Sequence, residues 1–324
     1  MSARQGSPPS QAASLHGAGP VRAEAAGSGP AVEVSGTERM LAPAGERLGG
    51  AHRKQVHRDP WPDFAGFERD RWPAEQRRAA AVQWAGRARN EHGSVQQFGQ
   101  LTEVLASARV ELELLGVLAR MITDEVRHAE LCARTALAIW PEGTTSEPQV
   151  FRWPQPRPPW SDPPSPRERG EPEPRLAWAA GAILTACCLG ETLSKPMLEA
   201  LVVVSTDPIA EAVSRQILRD EHLHATFGFE ALGLLWPRLS EASRAALQVQ
   251  LAADLAGFER SVCGSLRIAD LAGTEVVIER GEPNLGVLSE HQYAMIFYSC
   301  LETEIFPKLR KLGLDPDAAW ARRQ

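Results

Sequence analysis

Cysteine is scarce in this 324-residue chain: there are five, and two of them, Cys187 and Cys188, are adjacent. An odd count without regular spacing excludes a disulfide framework and leads us to expect a reducing, cytoplasmic setting. No run of about eighteen apolar residues is free of charge, so a transmembrane helix is not expected. The opening MSARQGSPPS leads into no apolar stretch, so a secretory signal is not expected either. Positive charge is not in excess. The 35 Lys and Arg stand against 41 Asp and Glu, giving a net charge of −6 and a pI near 5.8, which disfavours nucleic acid as a partner. β-branched alternation is rare as well, which argues against a sheet.

Proline is rare outside two segments. Of 25 prolines, 8 precede residue 74, 11 fall from Pro141 to Pro174, and 6 serve the rest of the chain. Residues 1–58, rich in Ala, Gly, Pro and Ser, carry too little apolar surface to offset chain entropy and are expected to form a disordered tail. Residues 147–174 read as an extended polyproline-type crossover that sets Phe151, Trp153 and Trp160 against the body. What remains is rich in Ala, Leu, Glu, Arg and Gln with apolar spacings of three and four, so the expected class is all-α. Six helices are expected. The first runs from Pro73 to Ala106, the second from Val110 to Ile139 and the third from Pro174 to Ser205. The fourth starts at Thr206-Asp207-Pro208 and ends at Trp236-Pro237, the fifth starts at Ser240, and the sixth starts at Ser289 with Pro307 as a kink. The strand-like run Glu275 to Glu279 is expected to be a loop or short hairpin.

Two near-identical pieces lie within the second and fourth of these helices. They are Asp124-Glu125-Val126-Arg127-His128-Ala129 and Asp220-Glu221-His222-Leu223-His224-Ala225, both D-E-x-x-H-A. With 30 Glu and 8 His, about one E-x-x-H is expected by chance, but not two copies that each follow an Asp. On a helix, i and i+3 share a face, so each Glu and His can converge on one metal ion. Carboxylates on the neighbouring helices would complete the set. In a helical hairpin, residues at equal depth are equally far from the turn. The midpoint of Glu91 and Glu125 is residue 108, where the first two helices should meet, and that of Glu191 and Glu221 is 206, at the Thr206-Asp207-Pro208 break. Both glutamates also sit in similar local sequence, Glu91-His92-Gly93-Ser94 and Glu191-Thr192-Leu193-Ser194.

One Glu from each of two helices and Glu-x-x-His from each of two others resembles the ligand pattern of ferritin-like di-iron carboxylate proteins. RNEHGSVQQF and DEVRHAELC are also similar to a group of bacterial ferritin-like-domain proteins. The resemblance covers residues 74–236 and implies a ferritin-like four-helix bundle with two iron ions held by Glu91, Glu125, His128, Glu191, Glu221 and His224. It further implies that Glu125 and Glu221 bridge the metals, that Glu91 and Glu191 are terminal, and that Asp124 pairs with His224 and Asp220 with His128. The implied organisation is a tail over 1–58, a ferritin-like domain over 59–264 interrupted by the crossover 141–174, and a loop and helical extension over 265–324 packed on the bundle.

Alternatives attach to the surrounding residues. His92 and His222 are extra ligands or surface groups. Cys132, Gly228 and Ala88, one turn from ligands, leave room for dioxygen or a substrate, or else allow tight packing. Cys187 and Cys188 are core thiols or redox groups. Arg87 and Lys195 snorkel to the surface or hold an anion. Pro196 should produce a kink or bulge near Glu191.

The expected function is a non-haem di-iron oxidase or oxygenase that activates dioxygen against a small molecule and draws on an external electron donor. Ferroxidase or peroxide-scavenging chemistry is one alternative, and a structural or binding module with a non-redox metal is another. Manganese or a mixed iron and manganese pair is also compatible. Features of better-known relatives are missing. No paired C-x-x-C is present for a rubredoxin-like relay. The only tyrosines, Tyr293 and Tyr298, lie far from either motif in sequence, and Ile217 occupies the position of the additional histidine of the N-oxygenase branch.

Overall fold

Eight helices and no strand form among the residues that the computed structural model describes, which are 41, 43–140, 162–164, 172–273 and 275–323. Helix α1 spans Glu46–Val56, α2 Ala74–Ser107 and α3 Leu112–Ile139. Helix α4, Glu173–Val204, is continuous but contains a π-helical segment at Leu184–Glu191. Helices α5 (Pro208–Leu235) and α6 (Glu241–Cys263) follow. Helix α7 joins Glu290–Cys300, a π turn at Leu301–Ile305, and Phe306–Leu312; α8 is Pro316–Ala321.

The boundaries follow local chemistry. The α2–α3 turn falls at Ala108-Arg109, where Arg109 takes a left-handed φ of 57°. Asp207 caps α5 by accepting from the amides of Ile209 and Ala210 at 3.0 Å, with Pro208 opening the helix. Ser240 caps α6, and Ser289 with Gln292 closes a capping box on α7.

Helices α2 and α3 pack along each other as one hairpin and α4 and α5 as another, and the hairpins meet through α3 with α5 and α2 with α4. Helices α6 and α7 cover the outer side of α4, and α8 packs on α6. Helix α4 is therefore surrounded by protein, which explains why it is apolar all round. Among the described residues, α4 alone is long and apolar enough to cross a membrane, yet 89% of its most apolar window is buried inside the protein.

One correction concerns the tail. Its last part, Glu46–Val56, is helical and docks on α3. The sequence ERLGGAHRKQV holds two glycines and buries only Val56, so neither propensity nor apolar periodicity announces it. Its polar contacts with α3 hold it in place instead. The rest of the tail and most of the Pro-rich crossover, with Phe151, Trp153 and Trp160, lie outside the described residues. The run Glu275 to Glu279 is a loop.

Pro196 and Pro307 each follow a π segment. Pro196 cannot donate to the carbonyl of Thr192, four residues back. The thiol of Cys300 on α7 donates to that carbonyl instead, at 3.7 Å. The irregularity expected near Glu191 is thus a π segment that ends on Glu191 itself.

Candidate metal centre

All six residues of the expected ligand set converge between the two hairpins. Glu125, Glu191, Glu221 and His224 form one group and Glu91, Glu125 and His128 another, with donor atoms in each group within 4.8 Å of one another. Five of the six are buried; Glu91 is half-buried. His224 Nδ1 lies 3.1 Å from Glu125 Oε1 and 3.3 Å from Glu191 Oε2. His128 Nδ1 lies 3.6 Å from Glu221 Oε1 and 3.7 Å from Glu91 Oε2. Both imidazoles therefore turn Nδ1 towards the carboxylates.

Their opposite nitrogens face the aspartates in the crossed arrangement. His128 Nε2 is 3.3 Å from Asp220 Oδ2, and His224 Nε2 is 3.6 Å from Asp124 Oδ2. Such partners fix an imidazole's tautomer and raise its basicity. The aspartates are held in turn by three arginines that sequence reasoning missed. Arg127 Nη1 donates to Asp124 at 2.7 Å and to Asp220 at 2.6 Å. Arg120 Nε donates to both oxygens of Asp124 at 2.9 Å. Arg58, just beyond α1, donates to Asp124 at 3.2 Å and also to Asp220. A signal was available: Arg127 lies inside the D-E-x-x-H motif, and Arg120 is four residues before Asp124.

The electrostatics separate the two layers. Burial would raise both aspartates, but His224 with Arg127 and Arg120 holds Asp124 below the usual range, and His128 with Arg127 does the same for Asp220. At the centre the direction reverses. Burial and then the charge of Glu91 push Glu125 up to about 8, and burial and then Glu191 push Glu221 well up. Burial opposes charging of the imidazoles, yet Asp220 and Glu91 raise His128, and Glu221 with Asp124 raises His224. Both oxygens of Glu125, one oxygen of Glu221 and Nδ1 of His128 have no hydrogen-bond partner despite their burial. Leaving such atoms unsatisfied costs about 1–3 kcal/mol each, and more where they are charged. Four carboxylates and two inward-facing imidazole nitrogens suit divalent cations, and two such cations would neutralise the four carboxylates.

The open alternatives resolve on packing. A Cβ on Gly228 would lie 2.7 Å from the backbone of Cys187 and Cys188, so this glycine lets α5 seat against the π segment. Cys132, Cys187 and Cys188 are fully buried in the core, and burial raises all three thiols. Arg87 does not snorkel. It is buried over Trp84 and donates to Gly286 O at 2.9 Å and to the hydroxyl of Tyr293 at 3.1 Å, tying α2 to the loop before α7. Lys195 pairs with Glu199 at 3.5 Å. His222 is exposed, and His92 is in neither group. Beside Glu91 and Glu191 lies a cavity of about 30 Å³, lined also by Cys132, Met197 and Ile217. Compared with known proteins, the chain matches no family model and no curated sequence.

Proposed function

We propose that this chain is a ferritin-like di-iron carboxylate protein that reacts with dioxygen or peroxide. In this reading α2, α3, α4 and α5 are the four-helix bundle, and Glu91, Glu125, His128, Glu191, Glu221 and His224 hold two iron ions, with manganese or a mixed pair also compatible. The observation that carries it is the set of buried, unpartnered oxygens on Glu125 and Glu221 beside the inward Nδ1 of His128. The chemistry such a metal pair supplies when bound is the two-electron reduction of dioxygen or peroxide.

The chain's own residues supply the rest. Glu125 and Glu221 lie between the two imidazoles and would help to hold both ions. Asp220 would keep a proton on Nε2 of His128, leaving its Nδ1 free to ligate, while Asp124 faces Nε2 of His224 at 3.6 Å. The π segment aims Glu191 at the centre and Arg87 ties the neighbouring stretch of α2 in place. The cavity beside Glu91 and Glu191 has room for a diatomic or a water-sized reactant.

The test is anaerobic loading with ferrous ion, followed by oxygen exposure while oxygen uptake and near-ultraviolet ferric absorption are recorded. Prompt uptake in proportion to bound iron is expected. Bound iron without uptake would assign the metal a structural role, and absence of binding would overturn the proposal.

A further inference from the structure

Outside the dinuclear centre, a third group of donor atoms lies where α1 meets α3. His52 Nε2 is 2.8 Å from Glu130 Oε2, and His57 Nε2 is 3.1 Å from both oxygens of Glu130. The donor atoms of all three residues lie within 4.8 Å of one another. Glu130 is on α3 two residues after His128, so at about 100° per residue it points about 200° away from the dinuclear centre. It is 7% exposed, whereas His52 is 40% exposed, so the group is anchored on one side and open to solvent on the other.

Both histidines are hydrogen-bonded to Glu130 at a spacing close to that of a ligand set. Zinc binds imidazole nitrogen and carboxylate oxygen at about 2.0–2.2 Å, which places two donors of a tetrahedral ion about 3.3 Å apart. The observed separations fall a few tenths of an ångström short of that, so a small outward movement of the half-exposed His52 would admit an ion. His57 is held against Trp61 by ring stacking with centroids 3.8 Å apart, which fixes the second imidazole in advance. Arg134 donates to Glu130 Oε1 at 2.7 Å, leaving Oε2 with the histidines alone. Two imidazoles and one carboxylate, with the remaining positions open to water, suit a divalent transition metal rather than calcium or magnesium.

We propose that His52, His57 and Glu130 form a mononuclear site for a divalent transition metal, zinc being the probe, and that the ion fastens α1 to α3. The consequence reaches the dinuclear centre through the chain. Val56, the last residue of α1, accepts through its carbonyl from Arg127 Nε, and Arg58 donates to Asp124 and Asp220. An ion at His52, His57 and Glu130 therefore holds in place the segment that carries both contacts.

The experiment is a zinc titration of the metal-free full chain against a chromophoric chelator, with hydrogen exchange followed over residues 46–56. The variants are His52→Ala, whose side chain is half-exposed so that the fold should survive, and Glu130→Gln. Wild type should bind one zinc more than either variant, or bind that zinc at least tenfold more tightly, and exchange over 46–56 should slow on zinc addition in wild type alone. Equal stoichiometry and affinity in all three proteins would overturn the proposal. The outcome is separable from the dinuclear reading: three zinc ions against two supports both, one against none supports this site only, and two throughout supports the dinuclear centre only.

Discussion

Arg127 on α3 and Asp220 on α5 meet at 2.6 Å, and the same Arg127 nitrogen lies 2.7 Å from Asp124. One buried guanidinium thus joins the two aspartates that face the two imidazoles.

Removing this guanidinium should leave buried negative charge poorly compensated. Arg127 is 1% exposed, whereas Arg120 is 46% exposed on the same aspartates. Arg127→Ala should cost roughly 3–5 kcal/mol in urea unfolding, the range for breaking a buried ion pair. Arg120→Ala should cost about 1 kcal/mol or less. Equal losses for the two variants would contradict the assignment of Arg127 as the central tie.

Asp220→Asn keeps the size of the side chain but cannot hold His128 in the same way. Ferrous affinity should fall about tenfold or more, measured by anaerobic competition. Retention of wild-type affinity would show that Asp220 serves stability alone.

Gly228→Ala places a methyl group 2.7 Å from the backbone of Cys187 and Cys188, and backbone cannot yield as a side-chain tip can. A loss of about 1–3 kcal/mol is expected. Because the displaced segment ends on Glu191, metal affinity should fall with it. Ala88 is buried but offers no donor atom, so Ala88→Gly should leave metal affinity near wild type.

Much of this site could be read from the sequence, for a physical reason. A metal ligand set is a short-range pattern: Glu125 with His128 and Glu221 with His224 share helix faces by spacing alone, and hairpin geometry places Glu91 and Glu191 opposite them. The caps at Asp207, Ser240 and Ser289 are likewise local. What sequence reasoning missed depends on tertiary contact. Glu46–Val56 has weak helical character of its own and is held by Glu130 and Arg127 on α3. Arg87 read as a surface group because nothing in its neighbourhood in sequence reveals Gly286 and Tyr293, about two hundred residues later. An irregularity near Glu191 was legible from Pro196, but a π segment over Leu184–Glu191, upstream of that proline and packed against Gly228, was not.

Asp254 on α6 provides a pH-dependent test away from the candidate metal centre. Burial raises its carboxyl to about 6, against hydrogen bonds from Thr185 and Gln250. A folded-state value above the unfolded one means that the folded chain binds the extra proton between about pH 4 and 6. This group's contribution is therefore most favourable below about pH 4 and is lost as pH rises through about 6. Asp254→Asn, permanently neutral, should raise Tm relative to wild type at pH 7.5, and the gain should shrink as pH falls towards 4. A gain independent of pH would contradict this account.

The central claim is that six side chains hold two iron ions as a pair, and Mössbauer spectroscopy of the ⁵⁷Fe-loaded, oxygen-exposed chain tests it most directly. Two high-spin ferric ions coupled to a diamagnetic ground state are expected in wild type, and this signal should be lost when Glu125 and Glu221 are both replaced by Ala. Magnetically isolated ferric ions in the wild type, or a coupled pair that survives the double replacement, would contradict the account.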